Sequence, residues 1–325
     1  MQQYVVKIYQ SHFKTLWDTF FAKSNPDTFL FYRDFMDYHS DRFSDFSLLI
    51  YKNDKLIGLL PANKKEDKLY SHQGLTYGGI IYAPGLKTVD IINSFKTLLQ
   101  FLETQEIKRL VIKELPSIYL NNSTNNVLQY LLFKTKANIL RTDIHSVINR
   151  HFKSFSNIRK RGIKRGEKHQ LKVKESQDFE PFWNQILVPN LESKHRVTPV
   201  HSLKEITLLK SRFKKNIRQF NVYHNTKIVG GTTIFEMQHI AHCQYISGNA
   251  DKNMLGGLDF LYKYLIDEVF ANKLYFSFGT SNINSGQQIN EGLQFWKEGF
   301  GARSVPQGFY EIATENYKLL EDVFI

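Results

Sequence analysis

The stretch Tyr245-Ile-Ser-Gly-Asn-Ala-Asp-Lys-Asn-Met-Leu-Gly-Gly-Leu-Asp-Phe260 places two adjacent glycines and a lysine where an apolar run gives way to a helical pattern. Main-chain N–H groups at a helix start have no partner within the helix and sit at the positive end of its dipole. Gly256 and Gly257 let a ligand approach that backbone closely, and Lys252 adds a mobile cation, so the arrangement suits a diphosphate. The same order of residues also arises where a helix packs tightly on a sheet, and the residues alone leave both explanations open. Neither the Gly-Lys-Ser/Thr of a Walker loop nor the spaced glycines of a dinucleotide fingerprint are present.

Ser71-His-Gln-Gly-Leu-Thr-Tyr-Gly-Gly79 interrupts a hydrophobic neighbourhood with three glycines, a histidine and hydroxyl groups. Glycine in a strand marks a bulge or the close approach of another backbone or a ligand. Between Arg150 and Lys174 ten Lys or Arg stand against one acid, Glu167. A helix over 155–168 puts Arg161, Lys164, Arg165, Lys168 and Lys172 at i, i+3, i+4, i+7 and i+11, a basic face that is either solvated or turned to phosphate. His239 and His242 stand three apart with no nearby carboxylate or thiol pair, so no metal is expected. Cys243, the single cysteine, is expected as a small buried hydrophobe rather than a nucleophile.

The elements that must position these residues follow from periodicity. A strand and a helix occupy the first 22 residues, and Ser47–Tyr51 and Leu56–Ala62 form a hairpin across Asn53-Asp54-Lys55. Helices over 90–104 and 125–134 flank a strand over 109–114, and a strand over 143–149 closes this half. After the basic helix come helices at about 178–194 and 202–212, the second opened by a capping box of Ser202 and Glu205. A hairpin (217–224 and 227–236), the strand over 239–247, a helix over 258–272, a strand over 274–278, a helix over 288–297 and a last strand near 308–313 complete the order.

At 325 residues, two domains of roughly 150 residues each are expected. With 42% apolar and 23% charged residues the chain has the composition of a soluble globular protein. No apolar run approaches the ~20 residues needed to cross a bilayer, and the N-terminus lacks the pattern of a signal peptide. A lone cysteine suits a reducing compartment, so a cytoplasmic location is expected, with no stable membrane insertion. A formal charge of +12 calls for anionic partners. A nucleic-acid module would interleave aromatics with its cations, whereas 153–174 carries only Phe155, so DNA is not expected as a partner.

Residues 155–310 resemble the GNAT acyltransferase superfamily in its FemAB-like, two-domain branch. Three matches carry the resemblance: Arg159-Lys-Arg-Gly-Ile-Lys-Arg-Gly-Glu-Lys168, the strand-turn-helix at 240–270, and Phe278-Gly279 with Trp296-Lys-Glu-Gly-Phe-Gly301. Together with Ser71–Gly79 and Pro199-Val-His201, the chain is similar to sugar N-acyltransferases that modify nucleotide-linked amino sugars for surface polysaccharides. Lys252-Asn-Met-Leu-Gly-Gly257 keeps the cation and last glycine of the superfamily's pyrophosphate loop and places Leu255 at its middle glycine.

The resemblance implies an α/β (α+β) fold of two GNAT-like domains, each a mixed, mostly antiparallel sheet flanked by helices, with the active site in the cleft between them. Residues 1–150 would face the amino sugar and 151–325 would bind acyl-CoA. It implies transfer of an acetyl or 3-hydroxybutanoyl group from acyl-CoA to the amine of a nucleotide sugar, with a dTDP-3-amino-3,6-dideoxyhexose the nearest acceptor. FemAB relatives instead use aminoacyl-tRNA on a peptidoglycan precursor, and tRNA is a partner only under that alternative. The chain would act as a monomer or homodimer.

In such a reaction an amine attacks a thioester carbonyl directly, so the protein supplies a base, oxyanion donors and orientation. His72 is the first candidate base and His201 the second. Tyr245 would protonate the leaving thiolate, beside an oxyanion held by a main-chain N–H between Tyr245 and Ser247. Ile246, Ser247, Lys252, Asn253, Leu255, Gly256 and Gly257 would line the coenzyme, with Ser281 and Asn290 beyond the next strand. Tyr77, Arg159, Arg161 and Arg165 would meet the substrate, the arginines facing either its diphosphate or the phosphates of CoA.

Overall fold

A computed structural model describes residues 3–120 and 127–325. The chain divides into two compact units, residues 1–143 with 306–325, and residues 144–305. The end of the chain returns to the first unit instead of completing the second.

In the first unit, β1 (Tyr4–Ile8), β2 (Leu48–Lys52) and β3 (Lys55–Leu60) pair antiparallel. Asn53 and Asp54 turn the β2–β3 hairpin with φ of 46° and 61°, the left-handed pair that a tight two-residue loop requires. β4 (Lys68–Tyr70) leads into the glycine-rich stretch, which ends at the short β5 (Ile81–Tyr82), paired with β3. α1 (Thr88–Thr104) follows, then β6 (Arg109–Lys113), parallel to β4 and antiparallel to 309–313. One face of α1 (Ile91, Ile92, Phe95, Leu98, Leu99, Leu102) packs on Leu48, Leu60, Leu110 and Ile112, and Ile312 and Leu320 from the end of the chain complete that core. The helix expected from Asn125 is α2 (Leu128–Lys134); residues 125 and 126 lie outside the described residues.

In the second unit, α3 (Asn157–Lys168) is capped by Ser156, whose hydroxyl accepts from the Arg159 N–H. β7 (Lys172–Ser176), β8 (Ile217–His224), β9 (Lys227–Glu236) and β10 (Ile240–Gly248) run antiparallel in that order. α4 (Gly257–Tyr264) crosses to β11 (Tyr275–Thr280), which lies parallel to β10 and antiparallel to 145–149. α5 (Glu291–Glu298) follows. Side chains alternate across β9: Thr232 meets Tyr262 of α4, while a Cβ on Gly231 would run into Phe182, so helices cover both faces of the sheet. The expected helix over 178–194 is interrupted by a π-turn at Trp183–Leu187, and the one over 258–272 by another at Leu265–Val269. The capping box of Ser202 and Glu205 is present.

Candidate functional site

β10 carries an irregularity in its middle. Thr233 pairs with Tyr245 and Ile234 with Cys243, which leaves Gln244 as the extra residue of a bulge. A bulge takes one main-chain group out of the ladder and reverses the facing of the residues after it. Cys243 therefore packs in the core with α4, whereas Tyr245 turns to the opposite face, edge-on to Trp183 at 5.1 Å. There the Tyr245 hydroxyl accepts from the main-chain N–H of His201 at 3.0 Å and lies 2.5 Å from its Nδ1. Trp183, at the π-turn, donates its indole N–H to the His201 carbonyl at 3.2 Å. Two of the expected catalytic residues, 44 positions apart, thus form one buried pair. Buried Gln219, Asn221 and Thr233 add a hydrogen-bonded set on neighbouring strands, with Thr233 donating to Gln219 and Gln219 to Asn221.

β10 and β11 are joined only at Ile240–Tyr275, Ala241–Phe276 and His242–Ser277. Beyond His242 they fork, and no described strand pairs with the second half of β10 on that side. Gly279, at φ 66°, turns β11 away. Inside the fork the ammonium of Lys297 donates to the carbonyls of Gly279 (3.1 Å) and Thr280 (2.7 Å), and the residue is 1% exposed. Burial pulls this lysine down to about 8, partly offset by Cys243. His242 lies 3.2 Å from the Ser277 hydroxyl and is pulled down to about 3 by burial, with His145 and Lys297 adding to the effect. Burial pushes the Cys243 thiol up to about 12. The Ser281 hydroxyl is buried without a hydrogen-bond partner among the described residues, and the Ser281 carbonyl accepts from the N–H of Asn290, which caps α5.

After β10 the chain turns at Asn249, whose side chain accepts from the Asp251 N–H, into a short helix (Lys252–Leu255) and then, through Gly256 at φ 70°, into α4. Asn190 fixes the strand end by donating to the Ser247 hydroxyl (2.9 Å) and the Gly248 carbonyl (2.7 Å). Ile246 and Ser247 are half-exposed and Asn253 exposed, whereas Leu255, Gly256 and Gly257 are buried. A Cβ on Gly256 would strike the Gly162 carbonyl, and one on Gly162 the Asp259 carboxylate. The space beside Gly256 is therefore filled by α3 rather than left open to solvent.

Arg159 crosses that helix contact to pair with Asp259 at 2.6 Å, and Trp296 donates to the same carboxylate at 2.9 Å. A Cβ on Gly299 would meet Arg159 at 2.9 Å. The three motifs that carry the family resemblance meet in this knot. On the outer side Lys160, Arg161, Lys164, Arg165 and Lys168 are exposed and form no ion pair with any described residue. Lys160, Arg161 and Lys164 line an open groove of about 580 Å³ with Lys263 and Asp267.

The remaining expected residues lie in the first unit. His72, at φ 116° and 4% exposed, stacks on His39 with ring centroids 5.1 Å apart. Burial and the neighbouring His39 pull it down to about 3. Tyr77 is fully buried, its hydroxyl 2.7 Å from that of Thr28. Among the described residues no group of three or more His, Cys, Asp or Glu is placed to hold a metal, and no helix is long and apolar enough to cross a membrane.

Sequence reasoning missed Lys297, Trp183 and the bulge at Gln244. Lys297 stood within a quoted motif, but a lysine on an amphipathic helix reads as solvated surface. Only its place directly after Trp296 and before Gly299-Phe-Gly301 hinted at burial.

No family model matches the chain, and no curated protein matches it. Solved structures do. FemX superposes with a TM-score of 0.67 at 8% identity, covering 98% of this chain and 99% of that one. L-PGS from Bacillus licheniformis gives 0.60 at 11% identity, covering 94% and 95%. A tandem GNAT protein from the clavulanic acid pathway, solved without AcCoA, gives 0.52 at 10% identity, covering 97% and 99%. At such identities the likeness is one of fold: the chain folds as FemX and the tandem GNAT protein do.

Proposed function

We propose that this chain is an acyltransferase that moves an acyl group from acyl-CoA to the amine of a nucleotide-linked amino sugar, with a dTDP-3-amino-3,6-dideoxyhexose the preferred acceptor. The observation that carries the transfer chemistry is the fork of β10 and β11, with a bulge on one arm and a buried ammonium at the other. The amine nitrogen attacks the thioester carbon, forming the C–N bond; the tetrahedral oxyanion accepts from a main-chain amide at the bulge and from Lys297; the C–S bond then breaks. The thiolate takes the Tyr245 proton, and His201 supports that exchange through its Nδ1. The amine proton leaves to His201 or to water, a modest demand because a sugar amine titrates near the α-amino value of roughly 8. No proton transfer is assigned to His72, since a ring held at about 3 is a weak base at neutral pH.

The exposed edge at Ile246 and Ser247 would pair with the pantetheine arm, with Ser281 and Asn290 across the fork. The turn through Lys252 and Asn253 would take the diphosphate. Burial of Gly256 and Gly257 against α3 moves that contact to the residues before them. A second reading, an aminoacyl-tRNA donor and a peptidoglycan-precursor acceptor, is favoured by one observation, the five cations of α3 beside this turn that pair with no described residue.

Thermal melts separate the two. At fixed salt, CoA or acetyl-CoA at 100 times its Kd should stabilise the protein by about 2.7 kcal/mol, and thiol release should appear with a panel of nucleotide amino sugars. A melt unmoved by every CoA species, together with a tRNA-dependent shift that collapses between 50 and 200 mM salt, would overturn the CoA reading.

A further inference from the structure

The first unit holds a cavity of about 150 Å³ beneath α1 and α2, lined by Ile80, Ile81, Phe95, Ile112 and Leu128 among others. That is roughly the space an apolar cavity needs to hold a six-carbon ring. Two features set it apart from a packing void. Gly79 and Gly85, at φ 99° and 73°, line it, and a Cβ on either would meet nothing within 4 Å, so the backbone there leaves room instead of filling it. One wall also carries a carboxylate. Glu114 is half-buried, and its Oε2 accepts from the Gly308 N–H at 3.1 Å and the Tyr310 hydroxyl at 3.2 Å, while Oε1 has no hydrogen-bond partner among the described residues. Two donors on one oxygen fix the carboxylate in a lining that is mostly apolar, Asn25 and Tyr82 being its other polar side chains.

We infer that this cavity is a binding site for a compact aliphatic amine, its hydrocarbon body under α1 and α2 and its ammonium on Glu114. Apolar burial supplies the affinity, and the fixed carboxylate selects the cation, because an ammonium donates to it with charge assistance whereas a carboxylic acid salt is repelled. The inference does not rest on the transferase reading, which concerns residues of the other unit.

Isothermal titration of the full chain at pH 7 with n-hexylamine, n-hexanol and hexanoate tests it. Hexylamine should bind at least tenfold more tightly than hexanol, and hexanoate not measurably. E114Q should erase the difference between amine and alcohol while leaving the alcohol's affinity unchanged, and Leu128→Trp, which fills the cavity, should abolish both; Ile80→Phe serves if Leu128→Trp does not fold. Equal affinity for all three compounds, a preference that survives E114Q, or no binding of hexylamine would each overturn the proposal.

Discussion

Lys297 combines three properties seldom found together: a full positive charge in its ordinary state, almost complete burial, and main-chain carbonyls as its hydrogen-bond partners. Desolvation makes the folded chain release this proton near pH 8, while the unfolded chain holds it to roughly 10.4. Between those values the unfolded state binds more protons, so stability rises with pH. Lys113 is held at about 8 by burial and by the nearby Arg141, and contributes a rise of the same sign. Melting temperature followed from pH 7 to pH 10 should therefore climb, and Lys297→Met should remove about half of the climb. Above that window the raised tyrosines, Tyr77 and Tyr262, reverse the slope. The same substitution tests the chemistry, because loss of an oxyanion donor lowers turnover by about 10²-fold or more. A Lys297→Met protein with a flattened pH profile but unchanged turnover would leave the residue structural only.

At the scale of elements, α3 is the piece that organises the second unit's corner. Its glycines bring it onto α4 and the turn before it, and Arg159 locks the contact through Asp259. Gly256→Ala meets two obstacles, a left-handed φ and the Gly162 carbonyl, and should cost about 3 kcal/mol, lowering the melting temperature of this unit by about 6–12 °C. Gly257→Ala, whose Cβ would find only ordinary contact with Val229 at 3.4 Å, should cost under about 1 kcal/mol. The pair of substitutions, read by chemical denaturation, separates packing from ligand binding.

The strand, turn and helix around these glycines were legible from sequence because they are local, as were the hairpin at Asn53-Asp54 and the cap at Ser202. What filled the space beside Gly256 was not, since the carbonyl of Gly162 lies 94 positions away and no periodicity reports it. The His201–Tyr245 pair escaped for the same reason: each residue was picked out on chemical grounds, but their contact depends on the bulge that turns Tyr245 over. The run Phe29–His39, whose residues taken alone suit a helix, forms only short turns, because its aromatic side chains are drawn into the core and its Arg33 pairs with Asp37 and Asp45. Tertiary burial overrode the helical pattern there.

For the molecule as a whole, the path of the chain decides which pieces stand alone. The second unit is a continuous segment with its own core around Phe220, Leu261, Tyr262 and Phe276, whereas the first borrows Ile312 and Leu320 from the end of the chain. A fragment of residues 144–305 should express in folded form, with a cooperative thermal transition. A fragment of residues 1–150 should not, because it lacks the strand at 309–313 that pairs with β6 and the buried Leu320 behind it. Adding 306–325 to the second fragment in trans should recover structure; a cooperative melt for 1–150 alone would show that the tail is dispensable.

Cys243 sits in the core of the second unit with its thiol pushed up to about 12 by burial. A sulfur that remains protonated at neutral pH and is shielded from solvent does not react with maleimides or aromatic disulfides while the fold holds. The native protein should therefore be silent to thiol reagents, and a single cysteine introduced at an exposed position, such as Asn253 or Lys164, would carry a fluorescent or spin label with no background to subtract.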